Sequence, residues 1–282
     1  MRKESIMKTW LVTGCSSGLG KEIAEYLLSK GEKVAVTARN KEKVADYEAR
    51  YPETAFAVSL DTSERESIEN AISAIEERFG GVDVLINNAG HGYRAAVEEG
   101  EDADIRELFD TNVLGPVYLM QKVLPGMREK HEGAIVNVTS IAAVRTNIAS
   151  GYYGASKAAL EMISEAGAAE LKALGIKVMI VEPGAMKTEF FHGSMKGTSS
   201  RIGDYDSVLA NKRPEIADQA YNQANDPKKC ARLIVDTIES DKYPLRLQLG
   251  ADAVKAVMST LAKRIGEAVE WAEICRTTGF DQ

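Results

Sequence analysis

Residues 150–157 read Ser-Gly-Tyr-Tyr-Gly-Ala-Ser-Lys, two tyrosines ahead of a lysine. Positions four apart on a helix share a face, and positions five apart do not. Tyr153 is therefore the partner of Lys157, and Tyr152 is left to pack or to line a pocket beside it. An ammonium next to a phenol favours the phenolate and draws down a pKa that is otherwise about 10. Bringing it to about 7 takes roughly 4 kcal/mol. One exposed ammonium does not supply that, so a second positive charge and partial desolvation have to contribute. The outcome is a general acid/base poised near neutral pH.

A second chemical signal is Thr-Gly-Cys-Ser-Ser-Gly-Leu-Gly, residues 13–20, between the first apolar run and the first amphipathic stretch. Gly14, Gly18 and Gly20 let backbones approach closely, and Ser16, Ser17 and Leu19 lie where a helix opens and partial positive charge gathers. Such a turn can hold a dinucleotide pyrophosphate; alone, it equally fits a tight strand-to-helix turn without a ligand. The same letters spell Gly14-x-Ser16-x-Gly18, the pattern of a nucleophile elbow. A serine hydrolase would need an acid and then a histidine downstream, and only His192 stands late enough. The second strand ends Val-Thr-Ala-Arg-Asn, residues 36–40. An acid there would bond a ribose 2′-hydroxyl, whereas a cation would take a 2′-phosphate. Ala38 and Arg39 occupy the place, and the planar guanidinium suits phosphate oxygens. The pattern favours NADP(H) over NAD(H), against the alternative of a solvated surface arginine.

These residues need a scaffold that gathers strand ends. Apolar runs at 10–12, 33–38, 55–60, 82–86, 134–138, 177–181 and 244–249 alternate with helix-like stretches at 21–30, 67–79, 103–130, 152–174, 228–239 and 253–271. Apolar runs without polar alternation imply strands covered on both faces. The fold class is α/β, a single-domain Rossmann-like doubly wound parallel sheet with helices on both faces. Gly80-Gly81 stops one helix, and Asp226-Pro227 supplies the N-cap and first-turn proline of another. Gly115-Pro116 predicts a bend within 103–130. The acidic cluster Glu98 to Asp104 is expected to begin that helix, where carboxylates oppose the macrodipole. Residues 186–226 have weak periodicity and no convincing strand; so long an irregular insert in a compact domain predicts a substrate lid. The expected organisation is one dinucleotide-binding and catalytic domain over 9–282, with 1–8 a short charged leader and Met7 an alternative start.

Composition excludes several classes. At 44% apolar and 27% charged residues the chain is globular rather than disordered. A net charge of -7 provides no electrostatic footprint for a nucleic-acid backbone or an anionic membrane. Cys15, Cys230 and Cys275, like His91, His131 and His192, are scattered, with neither disulfide-framework nor metal-ligand spacing. No run is long enough for a signal-peptide core or a membrane span, so the expected setting is cytoplasmic, with no metal, nucleic-acid or membrane partner.

Six marks in order complete the pattern: Thr13-Gly14-x-x-x-Gly18-x-Gly20, Asn-Asn-Ala-Gly at 87–90, Asn112, Ser140, Tyr153-x-x-x-Lys157 and Pro183-Gly184. Together they resemble the short-chain dehydrogenase/reductases over residues 9–190, with Ser140 thirteen positions before Tyr153. The resemblance implies an NADP(H)-dependent oxidoreductase interconverting a carbonyl and a secondary alcohol. It implies that Tyr153 exchanges the proton of the substrate oxygen, that Lys157 lowers its pKa and bonds the nicotinamide ribose, and that Ser140 bonds the substrate oxygen, with Thr139 the lesser candidate. Asn112 would hold a water linking Lys157 to solvent. Asp61 would contact the adenine, Asn88, Ala89 and Gly90 would lie along the cofactor with Pro183 and Gly184, and Thr188 would hold the carboxamide. Asn87 is open to a plainer reading, a tie between neighbouring strands. One departure is Ser17, where many NADP-using relatives carry a basic residue, so the phosphate is left to Arg39 with Asn40 or a nearby lysine. A non-catalytic dinucleotide-binding sensor or scaffold is the alternative, and the intact Asn112, Ser140, Tyr153 and Lys157 argue against it.

The expected substrate is a small-molecule ketone or alcohol, of the bulky apolar kind used by steroid- and retinoid-directed members. The predicted walls are Ala142, Val144, Tyr152, Met186, His91-Gly92-Tyr93, Phe190, Phe191 and Met195, with core packing the competing role for the aromatics. The resemblance also implies a homodimer or homotetramer built on the helices bearing Asn112 and Tyr153.

Overall fold

A computed structural model describes residues 7–209 and 223–280, without the side chains of Phe191 and His192. The seven apolar runs become seven parallel strands: β1 (Thr9–Val12), β2 (Lys33–Ala38), β3 (Ala55–Ser59), β4 (Val84–Asn87), β6 (Gly133–Val138), β7 (Ile176–Pro183) and β9 (Arg246–Leu249). A separate pair joins β5 (Gly92–Arg94) to β8 (Met195–Gly197). The helices are α1 (Gly18–Ser29), α2 (Asp46–Arg50), α3 (Arg65–Phe79), α4 (Asp102–Phe109), α5 (Gly115–Lys130), α6 (Gly151–Leu171), α7 (Phe190–Gly193), α8 (Asp206–Leu209), α9 (Pro227–Glu239) and α10 (Ala251–Cys275).

The main sheet runs β3-β2-β1-β4-β6-β7-β9. Alternate residues of each strand feed two cores. From β1, Trp10 and Val12 pack with Ile23 and Leu27 of α1 and Ile234 of α9. Leu11, between them, packs with Ile68 and Ile75 of α3 and Leu119 and Met127 of α5 on the opposite face. Both faces are dry, which is why the strands lack polar alternation. The order reverses between β1 and β4, so the loops leaving these strands diverge and open a crevice at their carboxyl ends.

Four features depart from the sequence reading, each for a tertiary reason. The stretch 103–130 is α4, a single π turn over Asp110–Leu114, and α5. The bend thus precedes Gly115-Pro116, where proline lacks an N–H for the ladder. A Cβ on Gly115 would stand 2.1 Å from the Thr62 carbonyl oxygen, so α5 starts in direct backbone contact with the loop after β3. The wide turn aims Asn112 into the protein, where it is fully buried. Helix 152–174 ends instead as α6 followed by a 3-10 turn, Lys172–Leu174, closed by Gly175 at φ 75°.

The acidic cluster does more than open a helix: α4 begins only at Asp102. Ahead of it, Glu101 Oε1 accepts from the Ser199 N–H (2.9 Å) and hydroxyl (2.7 Å) and from the Thr198 hydroxyl (3.1 Å). Glu99 accepts from the Ile202 N–H, and Glu98 from the Tyr205 hydroxyl. Finally, the insert contains a strand, β8, whose three residues are too few for a period to show. Residues 210–222 of the insert lie outside the described residues.

Two glycines of α5 separate close approach from simple flexibility. Gly115→Ala should lower stability by about 1–3 kcal/mol, because the methyl meets backbone oxygen rather than a movable side chain. Gly126→Ala meets nothing within 4 Å and should raise stability by about 0.5–1 kcal/mol through helix propensity. Urea midpoints at constant m-value read both.

Candidate active site

The crevice holds a cavity of about 860 Å³, walled by the ends of β1, β2, β3, β4, β6 and β7 and by the first part of the insert. It gathers Gly14, Ser16, Ser17, Gly18, Leu19, Arg39, Asp61, Asn88, Ala89, Gly90, Ser140, Tyr153, Lys157, Pro183, Gly184 and Thr188. Gly20 and Asn112 stand behind this wall.

The glycine turn fits a pyrophosphate on three counts. Gly14 and Gly18 have φ of 74° and 58°, conformations that favour glycine. Ser17 caps α1 without a side-chain bond, and no acidic residue lies in the first turn. The helix therefore opens with unpaired N–H groups at the cavity wall, the arrangement that binds anions. A Cβ on Gly20 would lie 2.3 Å from the Gly14 carbonyl oxygen and 2.4 Å from Asn88 Nδ2, so Gly20 lets helix and turn close on each other. Asn88 Nδ2 donates to the Thr13 carbonyl at 2.8 Å, and the Asn88 and Ala89 N–H groups donate to the Thr13 hydroxyl at 2.9 and 2.8 Å. Asn87 ties strands, donating to Asn137 Oδ1 at 2.8 Å across β4 and β6. At the far end, Asp61 Oδ1 accepts from the Ser63 N–H and hydroxyl, which fixes the carboxylate at the wall. Arg39 is exposed at the end of β2 and makes no ion pair among the described residues.

Ser140 follows β6 and caps a 3-10 turn, its Oγ accepting from the Ala142 N–H at 3.1 Å. Gly154 brings α6 against that turn, since a Cβ there would lie 2.9 Å from the Ala142 carbonyl oxygen. The approach brings the Ser140 side chain beside the Tyr153 hydroxyl. The neighbouring Thr139 points elsewhere, its hydroxyl 2.9 Å from both Glu161 Oε1 and the Val181 carbonyl. Tyr152 donates to the Val97 carbonyl at 2.6 Å and packs on Tyr93, away from the cavity.

Lys157 is buried, and its Nζ donates to the Val138 carbonyl at 3.0 Å. Burial lowers its pKa to about 8. The phenol of Tyr153 is pushed up by burial, with the nearby Ser140 side chain opposing. In this state the ammonium is held on the end of β6, so the phenol does not show the downward shift that the Tyr/Lys spacing predicts. Asn112, delivered by the π turn, accepts from the His91 N–H at 3.1 Å and donates to the His91 carbonyl at 2.9 Å and to Ser156 Oγ at 3.1 Å. A Cβ on Gly90 would meet Asn112 Oδ1 at 2.9 Å and Lys157 Nζ at 3.2 Å. Gly90 thus lets the loop after β4 lie against both groups.

A family model for short chain dehydrogenases matches residues 8–198. The chain is a short-chain dehydrogenase/reductase. It is 34% identical over 258 residues to human retinol dehydrogenase 8, covering 86% of this chain and 81% of that one. Oxidoreductase BOA17 of Botryotinia fuckeliana is 30% identical over 268 residues, 95% and 97% of the two chains. A short-chain dehydrogenase structure from Streptomyces avermitilis superposes with a TM-score of 0.90 at 38% identity, covering 99% of this chain and all of that one. As a family member this protein is an oxidoreductase that interconverts a carbonyl and an alcohol with a nicotinamide dinucleotide. Neither a scaffold role nor a serine hydrolase finds support. Only His131 and Ala149 have positive φ among described non-glycine residues, so Ser16 lacks the strained turn of a nucleophile elbow.

Of the predicted walls, His91, Ala142, Met186, Phe190 and Met195 line the cavity of this oxidoreductase, and Val144, Gly92 and Tyr93 do not; the Phe191 side chain lies outside the described residues. Sequence reasoning missed Thr62, Ser63, Arg94, Glu107, Thr111 and Lys196. For Thr62 and Ser63 a signal existed, the Asp-Thr-Ser-Glu run before α3. For Arg94 and Lys196 none did, because only the pairing of β5 with β8 brings them in.

The low pKa of Lys157 has a stability sign. Its folded value, about 8, lies below the unfolded value near 10.4, so the unfolded chain binds more protons between them and stability rises with pH across that window. Lys157→Met should therefore stabilise the dinucleotide-free protein at pH 7 by about 2 kcal/mol, after discounting the bond to Val138. The gain should disappear between pH 8 and 10.5, read by thermal melts across pH.

Proposed function

We propose that this protein is an NADP(H)-preferring reductase or dehydrogenase of apolar ketones and secondary alcohols, with Tyr153 as proton donor and acceptor. The observation that carries the reading is the convergence of Ser140, Tyr153 and Lys157 on the cavity that the glycine turn opens. The bound nicotinamide supplies the hydride donor or acceptor. Ser140 orients the substrate oxygen beside Tyr153, and a phenol kept protonated by burial is the form that gives its proton to a carbonyl. Lys157 moves charge towards Tyr153 when its hold on Val138 is exchanged for the ribose. Asn112 is a positioning residue, fixing the His91 backbone and Ser156 next to that lysine.

The preference for NADP(H) is supported by Arg39 at the end of β2, exposed at the cavity wall. A relative at 34% identity from Ornithobacterium rhinotracheale is an NADPH-dependent 3-dehydrocapnine reductase. Asp61 at the cavity wall is assigned to the adenine, and Thr188 with Pro183-Gly184 to the carboxamide end. An apolar substrate is supported by Met186, Phe190 and Met195 at the insert end, with Phe190 and Tyr153 ring centroids 6.0 Å apart, and by the likeness to a retinol dehydrogenase. The first part of the insert, Met186 to Lys196, acts as the lid over that end. No helix among the described residues is long and apolar enough to cross a membrane. Free Cys15, Cys230 and Cys275 support a cytoplasmic setting. Exposed Leu114, Met162 and Ile163 on the Asn112 and Tyr153 elements support self-association there, as dimer or tetramer.

Tyr153→Phe should abolish turnover of a ketone panel while dinucleotide affinity, followed by calorimetry, stays within about threefold, under 1 kcal/mol. Retained turnover would remove Tyr153 from the acid/base role. Arg39→Asp should weaken NADPH by on the order of tenfold, about 1.4 kcal/mol, and leave NADH nearly untouched. Equal losses on both would take Arg39 out of cofactor selection.

A further inference from the structure

Helix α10 begins against the domain and then leaves it. Ala253, Ala256 and Val257 are buried, and Arg264 still donates to the Val144 carbonyl at 2.6 Å. Beyond Thr260 the helix is exposed on every side except at the half-buried Ala272. A lone helix of that length is marginal in water. Its exposed surface is also patterned: Val254, Met258, Leu261, Ile265, Ala268, Ala272 and Cys275 follow one another at alternating spacings of four and three. That is the heptad spacing of a helix that packs lengthwise on another. Met258 is 67% exposed, Ile265 64% and the flanking Val269 69%.

We infer that this stripe is an interface between two copies of the chain, with the α10 helices antiparallel. Two independent asymmetries of the helix require that direction. The stripe is large in its first half (Val254, Met258, Leu261, Ile265) and small in its second (Ala268, Ala272, Cys275). Antiparallel pairing sets Val254 on the partner's Ala272 and Met258 on the partner's Ala268, with Leu261 against the partner's Ile265 at the centre. A parallel pair would crowd large on large and leave small facing small, a void along half the seam. Charge runs the same way. The first half is net basic, with Lys255, Lys263 and Arg264 against Asp252, and the second net acidic, with Glu267, Glu270 and Glu273 against Arg276. Antiparallel helices place basic half on acidic half at both ends and oppose their dipoles, whereas parallel helices repel. The pairing is isologous, so the same patch serves both subunits and the assembly closes.

The same residues disfavour a membrane surface as the occupant. Residues 251–280 hold four basic and four acidic side chains, and the acids gather in the half that is most exposed. A helix lying on anionic lipid carries Lys and Arg on its polar face instead.

The thiols provide a direct test. Cys275 is exposed, while Cys15 and Cys230 are buried. In the antiparallel pair the two Cys275 residues lie roughly 36 Å apart along the axis, and each sits in the layer of the partner's Ala251. Mild oxidation of the full-length protein should leave the wild type uncrosslinked and should give a covalent dimer with Ala251→Cys. Adding Cys275→Ser should abolish that dimer. Independently, the double variant Leu261→Glu/Ile265→Glu should halve the particle mass measured by light scattering, with its circular dichroism and dinucleotide binding intact. A Cys275–Cys275 crosslink in the wild type, no crosslink at 251, or an unchanged mass in the double variant would overturn the proposal. So would wild-type cosedimentation with phosphatidylserine vesicles that the double variant loses.

Discussion

One threonine hydroxyl sets the spacing of the crevice. Thr13 directly follows β1, and its oxygen accepts from two successive N–H groups, those of Asn88 and Ala89. The loop after β4 is thereby fastened to the turn after β1, at the one place where the strand order reverses. Asn88 completes the tie from its side chain, and Gly20 leaves room for it. With those loops fixed, Gly90 lies against Asn112 and Lys157, and the nucleotide side and the proton-handling side of the cavity become one rigid unit. A hydroxyl buried to this degree, 1% exposed, has no water to exchange partners with, so the arrangement is held without alternatives.

The second constraint is the cost of an ammonium in that unit. Lys157 is held by a single carbonyl, that of Val138, and burial has already taken its pKa down to about 8. The protein tolerates this because its neighbours are ordered by others: Ser156 bonds to the Tyr153 carbonyl and receives the Asn112 amide. The lysine itself stays underbonded, with two N–H donors to offer. A buried group with donors to spare is poised to gain from any polar partner that enters the cavity.

Much of this was legible in the chain. The strands could be read because both their faces are dry, and the glycine turn because Gly14 and Gly18 need backbone that other residues resist. Tyr153 rather than Tyr152 was picked out by helical spacing alone, and the Tyr152 hydroxyl is spent on the Val97 carbonyl. What could not be read depends on contacts distant in sequence. The inward aim of Asn112 follows from a π turn set by Gly115 against Thr62. The carboxylates Glu98, Glu99 and Glu101 have partners about a hundred positions away, so locally they resemble any acidic helix start. The position of the Lys157 ammonium on Val138, instead of beside the phenol, is likewise a matter of three-dimensional packing.

The attachment of the insert has a consequence for how such an enzyme changes. The segment 195–205 is fastened by β5 through three paired residues and by the carboxylates at 98–101, all on the far side of the loop from Ser140 and Lys157. Nearer the Ser140, Tyr153 and Lys157 trio, the insert sets the Phe190 ring beside Tyr153. Its composition and length can therefore drift without disturbing the Thr13 tie or the Lys157 seat. Selection can exchange the substrate-facing segment as a cassette, while the proton and hydride machinery beneath it is inherited unchanged.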